Sequence, residues 1–554
     1  MINLKILLES FLKDFAKIDI WKKLLLVFSS LFFAFLFIEN FLFSTSFATL
    51  HLREIDDLAF QASIRQFHKD LSSLRIDLFI KLNDYGYGWI FWVIVGLITY
   101  PFYLLALLTD FYAPLIIVPR QISLVFTIGS AFFIYKSLSI YSKNEFLKFI
   151  AMMLLFSFPA FGYSGLRFGT VAQVMFFSSL TFYLTIRKNT YEKKDLKHIA
   201  LAAAACVGTK LNGALILPLI GFIIADRLHW NLSKENIKKA GYFLLNFLFF
   251  AVLFSNPSLF LSPFQPDYFT SYLASLSNNS HLALQDNFFQ TLYDVVNIGY
   301  LNSYIAALLA AILISSIFKK TLKKKDFFFI SCWLIFSLCL LSKIMSMGTL
   351  YIINYVTVVM YLIVFSLLFF ENWGRLGKAF AVLILIANIA LNHNNIYQEF
   401  YSGFKYFHFL KNPEIIAKIE TSAAIKKSIP DPKEEPKRIV NVLMDFRAIF
   451  PYAHLERENL QVQFSFDNLQ VAQKQIKENF DYISLNKTSP YLLSESEFNK
   501  NLATLKDDLL IKNQIESRKI ALNLTKNGKL DNVEYEVSFE NEMIIFFKIK
   551  NIKN

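Results

Sequence analysis

Apolar runs close to the ~20 residues a helix needs to cross a bilayer recur from Trp21 to about Leu391. They predict spans at 23–44, 120–137, 148–163, 171–186, 198–209, 212–226, 241–256, 300–318, 327–342, 350–370 and 378–392. A different pattern occupies the stretch after the first span. Phe60, Ile64, Phe67, Leu71, Leu74 and Leu78 repeat at 4-3-4-3-4 spacing, with Gln61, Arg65, Gln66, Lys69 and Ser72 on the other faces. That is one stripe of an amphipathic helix. It suits equally a helix lying in the bilayer interface and one packed on the protein's own core. His68 and Lys69 are expected at its surface, and Asn83-Asp84-Tyr85-Gly86-Tyr87-Gly88 forms the turn that ends it.

Beyond residue 400 the long apolar runs stop. Arg438–Phe446 and Asp481–Leu485 read as strands, Asn468–Asn479 as a helix, Asn527-Gly528 as a hairpin turn and Met543–Ile549 as a last strand. The predicted fold class is thus a polytopic α-helical membrane protein, with about 11 transmembrane helices plus interfacial or re-entrant ones. Residues 1–400 form its membrane domain and residues 401–554 a small α/β soluble domain joined through the exposed Pro430–Pro436 stretch.

Composition agrees, since 55% of the 554 residues are hydrophobic and 61 are Phe. The net charge of +13 falls almost wholly on residues 1–400, because residues 401–554 hold 23 Lys+Arg against 21 Asp+Glu. The basic excess therefore reports membrane topology, and no nucleic-acid partner is expected. Cys206, Cys332 and Cys339 all lie in apolar runs, which leaves the terminal domain without a disulfide framework. The basic amphipathic residues 1–20 precede a first span with no convincing cleavage site, so that span is expected to be retained as an anchor.

The connections between spans alternate in charge. Between the later spans, one set carries 19 Lys and Arg, including Lys136, Lys188, Arg227, Lys320 and Lys378; the other carries only Arg167, Lys210 and Lys343. The first set is cytoplasmic by the positive-inside rule. Lys22 and Lys23 hold the N-terminus inside, which places residues 45–119 and the terminal domain outside an inner (plasma) membrane. The run 88–109 is also long and apolar enough to cross, yet a full span there would invert every later loop. It is expected to be re-entrant or interfacial and broken at Pro101; the alternative is a span that pairs with 110–119 as a second, short crossing.

On the outer face, just beyond the first span, stands Arg53-Glu54-Ile55-Asp56-Asp57. Such a cluster serves either as a solvated helix start or as a site for a lipid-borne substrate. The order of elements resembles the first outer loop of the GT-C superfamily, integral-membrane glycosyltransferases that take sugars from polyprenyl-phosphate donors. Phe158-Pro159 followed by Arg167 resembles that family's second outer turn, and Gly208-Thr209-Lys210 its Thr-Lys element. The likeness covers roughly residues 20–400.

Sugar transfer from a lipid phosphate needs a base for the acceptor hydroxyl and positive groups for the departing phosphate. Asp56 or Asp57 supplies the base; successive helical positions point about 100° apart, so the two do not act as one bidentate unit. The resemblance favours Asp56 as base, with Asp57 orienting the acceptor or a metal; Mg or Mn held by the pair is the one cofactor it implies. Arg167, Lys210 and Lys343 are the candidate phosphate ligands, each of which can also snorkel to outer headgroups. Glu54, Tyr85 and Tyr87 are the remaining candidate substrate contacts, although Tyr is also the usual interface anchor. The expected partners are a polyprenyl-phosphate-linked sugar donor, membrane lipids and a glycan, lipid or protein acceptor, with inversion at the anomeric carbon. The rival class is a lipid-linked saccharide flippase or transporter without transferase activity, which would place charges or helix breaks near mid-span. An outer-face polymer ligase is disfavoured because loop 257–300 holds His281 but no Arg. That loop reads as either a lid or packing over helix ends. The sequence contains no Gly-rich phosphate loop, HExxH, GxSxG or Cys/His metal spacing.

Overall fold

The computed structural model describes residues 18–42, 55–74, 88–109, 111, 113–231, 233–261, 328–330, 332–334, 337, 370, 374–391, 438–443, 460–465, 482–487, 492–503, 508–530, 533–542 and 544–550. Its contacts divide the chain into two units. One comprises Met1–Leu42, Gln66–Tyr103 and Ile117–Gly403; the other comprises Phe43–Arg65, Leu104–Ile116 and Phe404–Asn554. The predicted spans 300–318 and, except for Phe370, 350–370, and the helix predicted at Asn468–Asn479, lie outside the described residues.

The described helices follow the apolar runs. They are α1 (Ile20–Leu42), α2 (Ile55–Ser72), α3 (Trp89–Thr109), α4 (Ala113–Tyr141), α5 (Glu145–Phe156), α6 (Pro159–Leu166), α7 (Thr170–Ile186), α8 (Lys193–Thr209), α9 (Leu217–Arg227), α10 (Lys234–Ser255) and α11 (Gly374–Leu391). Five of them, α1, α3, α4, α10 and α11, are long and apolar enough to cross a membrane. None of the residues of α10 is buried, and Leu244, Leu245, Leu248 and Phe249 are exposed. An apolar helix that presents such side chains outward is solvated by lipid, as expected of an integral membrane protein.

Two expectations about this region are corrected. Helix α3 runs unbroken for 21 residues with Pro101 inside it, so the break at Pro101 is absent. Proline removes the ladder donor to the carbonyl four residues back, that of Leu97, without breaking the helix; beside it, Thr99 Oγ1 donates to Val95 O at 2.7 Å and His68 Nε2 lies 3.1 Å from Gly96 O. The following helix α4 already begins at Ala113 and is 29 residues long. Conversely, the single span predicted at 148–163 is two helices, α5 and α6, bent by 63°. Phe158 takes an extended conformation (φ −85°, ψ 106°) because Pro159 disfavours the helical region in the residue before it, and Pro159 then starts α6.

The core of the larger unit gathers Leu147, Phe161, Met175, Phe182, Ile199 and Ile220, from five helices. Trp21 packs edge-on to Phe146 at 4.7 Å and Phe32 stacks on Phe156 at 4.8 Å, which ties α1 to α5. At the head of α8, Glu192 and Asp195 form a capping box. Asp195 also accepts from Lys188 at 2.9 Å and stands 3.6 Å from Arg187. Burial pushes its carboxyl up, but the Lys188 hydrogen bond, the Glu192 backbone N–H and the two cationic charges outweigh that and hold it below the usual carboxylate range.

The second unit contains β1 (Arg438–Leu443), β2 (Leu460–Ser465), β3 (Tyr482–Asn486), α12 (Glu495–Leu502), α13 (Asp508–Asn527), β4 (Lys529–Leu530), β5 (Val533–Glu540) and β6 (Ile544–Ile549). The strands form one sheet in the order β2-β1-β3-β6-β5-β4. Pairings of β1 with β2 and β3 are parallel, whereas β3–β6, β6–β5 and β5–β4 are antiparallel. Phe498, Ala521 and Leu524 of the two helices share a core with Ile483, Leu485 and Phe547 of the sheet. Asn527-Gly528 is not a hairpin turn. Gly528 (φ +62°) ends α13 in the left-handed conformation, its N–H donating to Leu524 O at 3.0 Å, and β4 starts at the next residue. An added Cβ there would meet Tyr535 O at 2.6 Å, so glycine serves as a helix C-cap.

Candidate functional site

Asp56 and Asp57 are the second and third residues of α2, in its first turn, where the helix macrodipole favours negative charge. Of the stripe behind them, Phe60, Ile64 and Phe67 are buried, but the helix ends at Ser72, short of the predicted Leu78, and Leu74 beyond it is exposed. Of the two placements open to this helix, packing against protein is the one observed for these residues. Parts of the other faces are buried as well, although Gln66 is exposed. Gln61, Arg65 and Asp70 are each less than a tenth exposed, and His68, expected at the surface, is 1% exposed. Its Nε2 lies 2.9 Å from Thr99 Oγ1, and its ring sits 4.9 Å from that of Tyr103. Because the Thr99 hydroxyl gives its own proton to Val95 O, His68 Nε2 must be the donor in this contact. Phe67 lies across Gly96 of α3, where the absence of a Cβ makes room for the ring.

Arg167 is the C-cap of α6, extended at φ −112° and ψ 135°, and only 8% exposed. Its guanidinium lies over the Tyr163 ring at 5.8 Å. The turn that carries it is anchored by residues the sequence reading passed over. Asn40, fully buried near the end of α1, donates from Nδ2 to Gly165 O at 2.8 Å and, at 3.4 Å, to Arg120 O. Thr127 Oγ1 of α4 and Ser164 Oγ of α6 are 3.3 Å apart. Arg120 itself is a completely buried arginine of α4, and Glu39, beside Asn40, is 1% exposed. The available signal was a carboxylate and an amide, Glu39-Asn40, inside an apolar run; polar groups at that depth are costly and usually have a role.

Lys210 occupies a short extended link (φ −159°, ψ 140°) between α8 and the 3-10 turn Leu211–Ile216. Packing holds this link from three sides. Gly88 donates its N–H to Thr209 O at 3.0 Å, and a Cβ on Gly88 would collide with the Gly208 carbonyl. A Cβ on Gly208 would in turn meet the Phe254 Cβ, and Gly213 donates to Lys210 O at 2.8 Å. Gly88 closes the glycine–tyrosine run Asn83–Gly88, so the structure joins the end of that run to the Gly208-Thr209-Lys210 element, 120 residues away in the chain. Glu54, Tyr85, Tyr87 and Lys343 lie outside the described residues. Among the described residues no group of three or more His, Cys, Asp or Glu converges as a metal site.

No protein-family model matches the chain, and no curated protein matches it by sequence. Solved structures do match. ArnT from Cupriavidus metallidurans bound to undecaprenyl phosphate aligns over 94% of this chain and 97% of its own, at 10% identity and a TM-score of 0.53. The same protein in the apo state aligns over 84% and 87%, at 11% identity and a TM-score of 0.49. ArnT is a GT-C glycosyltransferase. The chain thus shares the fold of ArnT over most of its length, and the resemblance read from residues 20–400 agrees with it at the level of the fold alone.

Proposed function

We propose that this protein is a membrane glycosyltransferase that moves a sugar from a polyprenyl-phosphate donor to an acceptor hydroxyl on the outer face of the membrane, with inversion. The observation that carries the reading is the fold shared over nearly the whole chain with a protein crystallised on undecaprenyl phosphate. In the proposed reaction the acceptor oxygen attacks the anomeric carbon as Asp56 takes its proton, and the bond from that carbon to the phosphate breaks. Polyprenyl phosphate leaves, its charge met by Arg167, Lys210 and Lys343. Asp57 orients the acceptor, while Glu54, Tyr85 and Tyr87 contact the sugar. Where a divalent cation serves the site, Asp56 and Asp57 are the carboxylates to hold it, and its charge offsets that of the phosphate. Residues 1–400 form the catalytic domain, residues 401–554 an extracytoplasmic one, in an inner membrane crossed with the N-terminus inside.

The test is transfer from a panel of labelled polyprenyl-phosphate sugars by the purified full-length chain, run beside Asp56→Asn and Asp57→Asn. Loss of a general base is expected to slow Asp56→Asn by about 10²–10⁴-fold. Normal turnover in both variants would remove the mechanism. Movement of the labelled lipid across a bilayer without transfer would favour a flippase.

A further inference from the structure

We infer that Asn40 is a positioning residue for Arg167, acting through the backbone of the α6 turn. Helix α6 has eight residues, so its last carbonyls have no N–H in the helix to bind; Gly165 is the last residue but one. Arg167 and Gly169, which follow it, are extended, so the helix does not continue to supply the missing donors. Asn40 supplies one. Its amide nitrogen donates to Gly165 O at 2.8 Å, and the second hydrogen of the same group faces Arg120 O at 3.4 Å. One buried amide thus links α6 to α4 from the end of α1, two residues before the guanidinium-bearing position. The contact is tight from the other side too: a Cβ on Gly165 would meet Leu124 Cδ1 at 3.2 Å and Thr127 Oγ1 at 3.3 Å. With the turn pinned between Asn40 and α4, Arg167 is delivered in one orientation rather than several. Preorganising a donor in this way strengthens its grip on an anion without touching the anion.

The inference rests on the proposed role of Arg167 in holding the donor phosphate. It is tested by a double-mutant cycle on the full chain in nanodiscs, measuring binding of undecaprenyl phosphate and recording an unfolding midpoint for every variant. Arg167→Ala is expected to weaken binding roughly ten- to a hundredfold, the scale of a lost hydrogen bond to a charged group. Asn40→Leu, similar in volume but without a donor, is expected to weaken binding several-fold when Arg167 is present and not at all when it is alanine. Asn40→Ser, which restores one donor, should recover part of the loss. If Asn40→Leu does not fold, Gly165→Ala perturbs the same turn from its other face and is carried through the same cycle. Unchanged binding by Arg167→Ala alone would overturn the role of Arg167 and the inference with it. Weakened binding by Arg167→Ala, with the position-40 effect equal in both backgrounds or nil, would overturn the positioning role alone.

Discussion

Replacing Gly88 by alanine would drive a methyl group into the carbonyl of Gly208. Backbone stands on both sides of this contact, so no flexible side-chain end is available to swing away. The segments must separate, and the hydrogen bond from Gly88 N–H to Thr209 O, 3.0 Å long, is stretched or lost. Overpacking of this kind costs ~1–3 kcal/mol, and a backbone hydrogen bond contributes about 1 kcal/mol, so a destabilisation of roughly 2–4 kcal/mol is expected. Two glycines are internal controls. Gly221 in α9 and Gly241 in α10 have nothing within 4 Å of an added Cβ. Alanine at either should be neutral or stabilise the helix by about 0.5–1 kcal/mol. The assay is thermal unfolding of the purified variants in one detergent, with undecaprenyl phosphate binding measured beside it. Gly88→Ala should unfold well below the two controls and, because the disturbed link carries the proposed phosphate ligand Lys210, should bind the lipid more weakly. A Gly88→Ala protein as stable as Gly221→Ala, with lipid affinity intact, would refute the reasoning.

Two other predictions concern the membrane domain. Asp195 is stabilised in its charged form, so its contribution is fully present above the ordinary carboxylate range and is lost as pH falls through its lowered folded-state value. Asp195→Asn should therefore flatten the acid limb of the stability curve and cost about 2 kcal/mol near neutral pH, read as the wild-type-minus-variant difference in denaturant unfolding across pH. A topology reporter fused at residue 190, between Lys188 and Lys193, should lie in the cytoplasm. A reporter accessible from outside would overturn the orientation and, with it, the outer-face placement of Asp56.

Several features were legible in the chain because they are local. Apolar length marks a membrane helix, since a lipid environment tolerates little else. The period of Phe60, Ile64 and Phe67 marks a helix face, and the strands near 438 and 482 follow from short apolar runs. The bend at Phe158-Pro159 was equally local, a pre-proline restriction written in two residues, although the apolar pattern ran straight through it. Asn527-Gly528 misled because a left-handed glycine suits both a hairpin and a helix end; the helix before it decides between them.

What only the tertiary structure decided are contacts between residues far apart in sequence. Periodicity assigns one face of α2 to the interior, yet Gln61, Arg65 and His68 are buried too, because neighbours cover the other faces. The seating of Gly88 on Gly208, and of the Asn40 side chain on Gly165 O, leaves no periodic trace, since each contact joins segments more than a hundred residues apart in the chain. The sequence by itself determined most of the described helices and which charges stand between them. Packing decided which of those charges are held in place, because a backbone carbonyl left without a donor at a helix end takes its partner from whichever segment the fold brings beside it.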